Sequence, residues 1–229
     1  MENILIIGAS GHAKVIVDII EKQNKYRIQG FLDTYRRKGE KLFNYPILGT
    51  EDDLRDIVEK HNIYGCFIAI GDNYTRKVMA EKITSFNPEI KFINAIHPTA
   101  ILGKKVKLGN GIAIMAGVIV NSDSRIGNFC ILNTNSFLEH DGAMHNYSSI
   151  SSGVKTGGNL TLMECSSICI GATILENIII ENDTVIGAGA LVNKNIPSLV
   201  VAYGVPAKIV RSRNAEDKYL FSEKKPIQI

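Results

Sequence analysis

One hydrophobic position recurs every six residues through the second half of the chain. The register starts at Leu102 and runs to Val192 without a slip. Fifteen of its sixteen members are aliphatic or methionine, and Thr156 is the exception. The full column is Leu102, Leu108, Ile114, Val120, Ile126, Leu132, Leu138, Met144, Ile150, Thr156, Leu162, Ile168, Ile174, Ile180, Ile186 and Val192. A second column, two residues earlier, holds mostly small or β-branched residues from Ala100 to Ala190.

A period of six predicts a parallel β-helix, because neither an α-helix nor a hairpin meander repeats at that spacing. Each hexad supplies one short strand and a turn, and three hexads form one triangular coil. The large aliphatic side chains fill the prism, and the small residues pack beside them near the corners. The alternative is a β-sandwich with accidental periodicity, which gives no reason for one register to persist over 91 residues. Periodicity alone leaves the hand of the coil open.

The first half of the chain alternates strand and helix patterns instead, which predicts a small parallel sheet covered by helices. Strands are expected at Asn3–Ile7, Ile28–Leu32 and Tyr64–Ile70, and helices at Ala13–Lys22, Glu51–Asn62 and Tyr74–Ser85. Asn44–Pro46 is expected to form a turn. We therefore divide the chain into a Rossmann-like α/β domain (1–95), an all-β domain that forms the parallel β-helix (96–211) and a tail (212–229).

Composition and charge narrow the classes of function. A net charge of +3 is too balanced to favour nucleic acid or an anionic membrane as a partner. No apolar run is long enough to span a bilayer, and the N-terminus lacks a basic segment typical of a signal peptide. The four cysteines form no CxxC pair, so we expect reduced thiols and a cytoplasmic location.

Polar and glycine residues follow three of the predicted strands. Gly8, Ser10, Gly11 and His12 lie between the first strand and the first helix, where backbone N–H groups can meet a phosphate. Asp33 stands at the end of the second strand, and Gly71, Asp72 and Asn73 follow the third. The carboxyl ends of parallel strands meet at one edge of the sheet, so these residues predict a cleft there that can bind a nucleotide. A plain tight turn and helix caps remain the alternative.

The second candidate site is Glu139-His140-Asp141, directly after the interior residue Leu138. A histidine flanked by carboxylates can be oriented and kept basic, as a general base requires. A surface histidine in a charged turn is the alternative. His145 follows five residues later and suggests a zinc site like that of gamma-class carbonic anhydrases, but no third histidine lies between residues 98 and 139. We therefore expect no metal.

Together these motifs resemble the hexapeptide-repeat acyltransferases. The chain is most similar to the sugar acetyltransferases that include bacterial nucleotide-amino-sugar N-acetyltransferases of bacillosamine-type pathways and sialic acid O-acetyltransferases. The matching segments are Ile6–His12, Phe31–Asp33, Ala69–Asn73, His97–Ala100, Asn133–Thr134, Glu139–Asp141 and Gly204–Lys208. The resemblance implies a left-handed β-helix that binds acetyl-CoA, an N-terminal domain that binds a nucleotide-linked sugar, and a homotrimer with sites between neighbouring prisms.

The resemblance also implies roles for individual residues. His140 matches the catalytic base, Glu139 its orienting acid, and Asn133 an active-site asparagine. The acetyl-CoA groove is expected to include Ser149, Gly153, Gly158, Gly171, Ala188 and Lys208. Two positions depart from the family: Thr34 replaces a second acid in the nucleotide cleft, and Ser149 replaces a second histidine, for which His145 is a possible substitute.

Three functions follow from this pattern. The first is N-acetylation of an amino group, expected at C4, of a nucleotide-linked amino sugar. The second keeps acetyl-CoA but acetylates a hydroxyl of a sialic acid or a related sugar. The third is a trimeric sugar-nucleotide-binding protein without catalysis, against which the Glu139-His140 pair argues.

Overall fold

The computed structural model describes residues 1–220, and residues 221–229 of the predicted tail lie outside it. In its N-terminal part, strands alternate with helices as the sequence predicts. The elements are β1 (Glu2–Ile7), α1 (Gly11–Gln23), β2 (Tyr26–Leu32), β3 (Lys41–Leu42), β4 (Tyr45–Gly49), a short 3-10 turn (Glu51–Asp53), α2 (Leu54–His61), β5 (Ile63–Ile68), α3 (Asn73–Phe86) and β6 (Lys91–Phe92).

These strands form one sheet in the order β3-β4-β2-β1-β5-β6, and all pairs except β3-β4 are parallel. Because β1 is central, its residues Ile4 to Ile7 are fully buried between the helix layers. One local prediction is wrong. The turn lies at Phe43 and Asn44, while Tyr45 and Pro46 already belong to β4. Pro46 is tolerated there because it pairs with the two-residue edge strand β3.

From Ala95 onward the chain forms the predicted prism. Its two-residue strands are β7 (Ala95–Ile96), β8 (Ile101–Leu102), β9 (Lys107–Leu108), β10 (Ala113–Ile114), β11 (Ile119–Val120), β12 (Arg125–Ile126), β13 (Ile131–Leu132), β14 (Phe137–Leu138), β15 (Ala143–Met144), β16 (Ser149–Ile150), β17 (Lys155–Thr156), β18 (Thr161–Leu162), β19 (Ser167–Ile168), β20 (Thr173–Ile174), β21 (Ile179–Ile180), β22 (Val185–Ile186) and β23 (Leu191–Val192). A hairpin of β24 (Val200–Gly204) and β25 (Ala207–Ser212) follows the last coil.

Every third strand stacks in parallel, which produces the three faces of a left-handed β-helix. We call them face 1 (β7, β10, β13, β16, β19, β22 and the hairpin), face 2 (β8, β11, β14, β17, β20, β23) and face 3 (β9, β12, β15, β18, β21). The register is 18 residues per coil: Ile131 pairs with Ser149, and Ser149 with Ser167. The predicted interior column is buried from Ile114 to Val192, and only Leu102 and Leu108 at the open first coil are accessible.

The three faces differ in what covers them. The outward residues of face 1 are all buried, from Ala95 to Val185, because α1 and the C-terminal segment lie on that side. Face 2 is uncovered and mainly apolar, with Ile101, Ile119, Phe137 and Leu191 in its outward column. Face 3 carries charged residues in its first coils. Among residues 1–220, no helix has the length and hydropathy to cross a membrane.

Candidate active site

The glycine-rich turn after β1 leaves the amino end of α1 open. Gly8 has a φ of +91°, and a Cβ at this position would lie 3.2 Å from the Ala69 carbonyl oxygen, so a larger residue is disfavoured. Ser10 is the N-cap residue, but its hydroxyl does not cap the helix, and the first turn contains no acid. At Gly11 nothing lies within 4 Å of the position of a Cβ. No side chain of the described residues therefore caps the first N–H groups of α1, and no acid within the first turn offsets the positive end of the helix dipole.

Asp33 supports this turn instead of facing a ligand with a free carboxylate. Its Oδ2 accepts from Ala9 N at 2.7 Å, and its Oδ1 accepts from the backbone N–H groups of Tyr35 and Arg36. The Arg36 guanidinium in turn donates to the Ala9 carbonyl at 3.0 Å. Thr34 binds the buried Glu51. Asp33 therefore fixes the turn, and the cation beside the turn is Arg36, which sequence reasoning missed.

Two further residues that were predicted to bind the ligand form contacts within the protein. Asp72 caps α3, since its Oδ1 accepts from Thr75 N at 2.9 Å. Asn73 is 1% exposed and donates to the carbonyls of Cys165 and Ser166 on the prism. Both residues have structural partners within the chain, because strand ends and helix starts use the same short polar side chains for capping.

Arg76 joins the two domains beneath the site. It is 1% exposed and donates to the carbonyls of Phe129 and Tyr147 on the prism. It also donates to the carbonyls of Ile70 and Gly71 after β5, at 2.9 Å each. The sequence of α3 gave no signal that Arg76 would be buried. Arg76 fixes the end of β5 against the corner between faces 3 and 1.

A cavity of about 220 Å³ lies between this end of the sheet and the prism. It is lined by His12, Gly71, Ile131, Asn133, Ser149, Ser151, Ser152, Ile170, Tyr219 and Leu220. The structure thus brings His12 and Gly71, predicted to bind the substrate, together with Asn133 and Ser149 in one cavity. The Nδ2 of Asn133 donates to the Ile150 carbonyl at 3.0 Å.

His12 is a neutral histidine in this cavity. Burial lowers the pKa of His12 to about 4, and the positive charge of Arg76 lowers it in the same direction. Its Nε2 is inaccessible to solvent and has no hydrogen-bond partner among the described residues. A neutral imidazole in the cavity can donate or accept a hydrogen bond to a polar ligand.

His140 lies elsewhere, at the corner between faces 2 and 3. Its side chain is 64% exposed, and its Nδ1 is 2.8 Å from Asp141 Oδ2. This hydrogen bond raises the pKa of His140 above its ordinary value, and the charges of Asp141 and Glu139 add to the shift. With Nδ1 donating to Asp141, Nε2 is left as the basic nitrogen.

The orienting acid differs from the expectation. Glu139 Oε2 accepts from Asn121 Nδ2 at 2.8 Å instead of contacting His140. The Glu139 backbone is also held on both sides, by Thr156 and Ser124. Asp141 reaches the imidazole because it stands in the turn itself, with a φ of +57°. The partner of His140 in this chain is therefore Asp141.

The predicted acetyl-CoA residues do not lie together: Ser149 is on face 1 in the cavity, Gly158 is at the corner between faces 2 and 3, and the others lie elsewhere. Gly153, Gly171 and Ala188 stack along the corner between faces 1 and 2, next to the cavity. At Gly153 and Gly171 nothing lies within 4 Å of the position of a Cβ, so this corner is an open shelf. Lys208 is exposed in the terminal hairpin, paired with Tyr203.

Gly158 stands one coil above His140. A Cβ on Gly158 would lie 2.6 Å from both Cε1 and Nε2 of that ring. Because such a distance is too short for real contacts, the absence of a side chain at Gly158 makes room for the imidazole. His145 lies at the third corner, and no group of three or more metal-ligating side chains occurs within residues 1–220.

Comparisons with known proteins match both halves of this arrangement. The family model described as the PglD N-terminal domain matches residues 3–83. A variant of the perosamine N-acetyltransferase of Caulobacter crescentus, solved with CoA and GDP-perosamine, has a TM-score of 0.86 and 30% identity, covering 93% of this chain and 98% of that one. The acetyltransferase domain of PglB from Neisseria gonorrhoeae, solved with acetyl coenzyme A, has a TM-score of 0.84 and 28% identity, covering 91% and 99%.

Among curated proteins, the UDP-N-acetylbacillosamine N-acetyltransferase of Bacillus subtilis is 35% identical over 120 residues, which are 51% of this chain and 52% of that protein. The chain spans about half the length of the first curated relatives that it matches, 45% and 52%. An α/β domain on a left-handed β-helix with a corner histidine defines a hexapeptide-repeat acyltransferase. Within that class, the chain belongs to the sugar O-/N-acetyltransferase family that includes the nucleotide-amino-sugar N-acetyltransferases.

Proposed function

We propose that the protein is an acetyl-CoA-dependent N-acetyltransferase that modifies the C4 amino group of a nucleotide-linked amino-deoxy sugar. The observation that carries the proposal is the likeness, over 93% of the chain, to a structure that holds both CoA and GDP-perosamine. The chain's own geometry supports it, because an exposed His140 with a free Nε2 and a sugar-sized cavity lined by apolar and polar side chains occur in one molecule.

The nucleotide diphosphate binds at the turn after β1. The uncapped N–H groups of α1 favour an anion there, and the Arg36 guanidinium, which also forms an ion pair with Glu40, lies beside them at the Ala9 carbonyl. The cavity next to His12 has a volume of about 220 Å³. Pockets for drug-sized ligands typically have volumes of about 300–1,000 Å³, so this cavity is too small for a whole nucleotide sugar. It therefore accommodates the sugar ring, while the nucleotide lies over the turn outside it.

The functional unit is a homotrimer that packs through face 2. Face 2 is the uncovered apolar face, and burying Ile101, Ile119 and Phe137 against neighbouring prisms removes that surface from water. Around a three-fold axis, the two long edges of face 2 in one protomer lie against the edges of face 2 in the adjacent protomers. The corner with His140 in one protomer thereby approaches the corner with Asn133 in its neighbour. This packing completes a site that a single chain leaves in two parts.

The chemistry is direct transfer. The neutral amine of the sugar attacks the thioester carbonyl, and His140 Nε2 accepts its proton as the C–N bond forms. The tetrahedral oxyanion is stabilised by a backbone N–H of the groove. When the C–S bond breaks, the imidazolium returns the proton to the departing thiolate, which leaves as CoA thiol. Acetyl-CoA lies along the shelf of Gly153, Gly171 and Ala188, with Lys208 near its distal end.

A thiol-release assay tests the proposal. Acetyl-CoA is offered with UDP-, dTDP- and GDP-linked 4-amino sugars, with the free amino sugar and with free sialic acid, and His140→Ala serves as the matched inactive control. We expect one nucleotide-linked sugar to be turned over and the free sugars to be poor substrates. Acetylation of free sialic acid with equal efficiency would refute N-acetylation and favour the O-acetyltransferase. Light scattering at micromolar concentration tests the trimer, and a monomeric mass would refute it.

A further inference from the structure

The C-terminal segment 213–220 folds back from the last coil onto face 1. Arg213 is 8% exposed, and its guanidinium donates to the carbonyls of Asp183, Ala215 and Asp217. Its backbone N–H also donates to the Leu199 carbonyl at 2.9 Å. The segment is therefore fixed at its start by one buried arginine, and it ends against the N-terminal domain, with Tyr219 near Gly71.

Tyr219 ends this path in the cavity described above. Its hydroxyl lies 3.2 Å from Ser149 Oγ and 3.5 Å from the Gly71 carbonyl oxygen. Ser149 Oγ is itself 3.1 Å from Ser167 Oγ, and both serines are almost fully buried. The three hydroxyls form a connected cluster on an otherwise apolar strip of face 1, between Ile131 and Val185. Burial raises the pKa of Tyr219, so its hydroxyl stays protonated and able to donate.

The tyrosine also determines the shape of the cavity. Tyr219 and Leu220 line the cavity and form one of its walls, and Leu220 lies over Gly71, with its Cδ1 3.3 Å from the position of a Cβ there. The space that remains, about 220 Å³, is still open with this wall in place. An aromatic ring beside a polar floor offers the C–H face of a sugar an apolar surface and its polar groups a set of hydroxyls.

We propose that Tyr219 is a substrate-binding residue of the acceptor site, where it forms the wall against which the amino-sugar ring packs. The inference rests on the proposed function, since it assigns the cavity to the sugar. The phosphates and the nucleotide lie over the turn at Ser10 and Gly11, which Tyr219 does not contact. Its loss should therefore weaken the binding of the sugar moiety and leave nucleotide and acetyl-CoA affinity unchanged.

The test compares Tyr219→Ala and Tyr219→Phe with Lys218→Ala, an exposed neighbour, as the matched control. Steady-state kinetics give KM separately for the nucleotide amino sugar and for acetyl-CoA, and calorimetry gives the Kd of UDP and GDP. For Tyr219→Ala we expect the acceptor KM to rise at least ~10-fold, while the acetyl-CoA KM and the nucleotide Kd stay within about twofold. Tyr219→Phe, which keeps the wall, should have a smaller effect of about threefold.

Other outcomes separate the two proposals. Unchanged acceptor KM in Tyr219→Ala, with an active wild type, would overturn the role of Tyr219 alone. A lowered acceptor KM would also overturn it, because the segment would then compete with the sugar. An equal rise of both KM values with a lower Tm would indicate a general structural defect and refute the specific role. A wild type that acetylates no nucleotide sugar would overturn the proposed function and this inference with it.

Discussion

Gly158 offers the sharpest test of how the prism positions its histidine. In Gly158→Ala, the added methyl would start 2.6 Å from two ring atoms of His140, where about 3.5 Å is the ordinary contact distance. The imidazole must therefore move by roughly 1 Å, and a displacement of ~1 Å in a reacting group can cost about 100-fold in rate. The ring is free to yield because its side chain is 64% exposed.

The fold itself should tolerate this change. The φ of Gly158 lies outside the left-handed range, so alanine is compatible with the backbone there. Replacing glycine by alanine at such a site stabilises a protein by about 0.4–1 kcal/mol through the unfolded state. We therefore expect the Tm to be unchanged or slightly raised while kcat falls by roughly 10- to 100-fold. Acetyl-CoA turnover by thiol release and thermal unfolding are measured on the same preparation.

A double-mutant cycle distinguishes the two roles of Gly158. If the substitution acts through the ring, adding Gly158→Ala to His140→Ala should cost nothing further. If Gly158 instead lines the acetyl-CoA groove, KM for acetyl-CoA should rise in both backgrounds. An unchanged kcat in Gly158→Ala would refute the steric argument outright.

Three further predictions follow from the same contacts. His140→Ala should lower turnover by at least ~100-fold with nucleotide-sugar affinity retained, and His145→Ala should have little effect; the reverse ranking in steady-state kinetics would contradict the choice of base. Asp141→Asn removes the contact that raises the pKa of His140, so the acidic limb of the kcat/KM profile should move to lower pH, and an unmoved limb would exclude Asp141 as the partner. Arg76→Met should lower the free energy of unfolding by about 3 kcal/mol or more, because buried carbonyls left unpaired cost about 1–3 kcal/mol each; an unchanged urea midpoint would refute this.

The prism is the part of the fold that the sequence predicts best. Its interior accepts one side chain per hexad, so an aliphatic residue is required at every sixth position, and the burial of Ile114 to Val192 confirms the register. The helices of the first domain were likewise predicted to within a few residues. The short hairpin of β3 and β4 was missed because two residues at an edge carry no periodic pattern.

The site was harder to predict because one residue type serves several purposes. Asp33, Asp72 and Asn73 stand where a ligand was expected, yet they hold a turn, a helix start and a neighbouring coil. Arg76 resembles an ordinary surface arginine of a helix, and it is buried only because two domains pack around it. Such roles depend on contacts between segments far apart in sequence, which local patterns do not record.

Because the C-terminal segment returns along face 1, the number of coils in the prism determines how long that segment must be. Four strand spacings of face 1 separate β25, which Arg213 follows, from Ser149, a span of about 19 Å at the usual strand spacing. The six steps from Arg213 to Tyr219 reach at most ~20 Å when extended. Inserting one whole coil of 18 residues above Ser149 would keep the repeat of the interior, yet it would lengthen the span by about 5 Å, beyond the backbone reach of the present segment. Relatives that gain or lose a coil should therefore have tails whose lengths change in step.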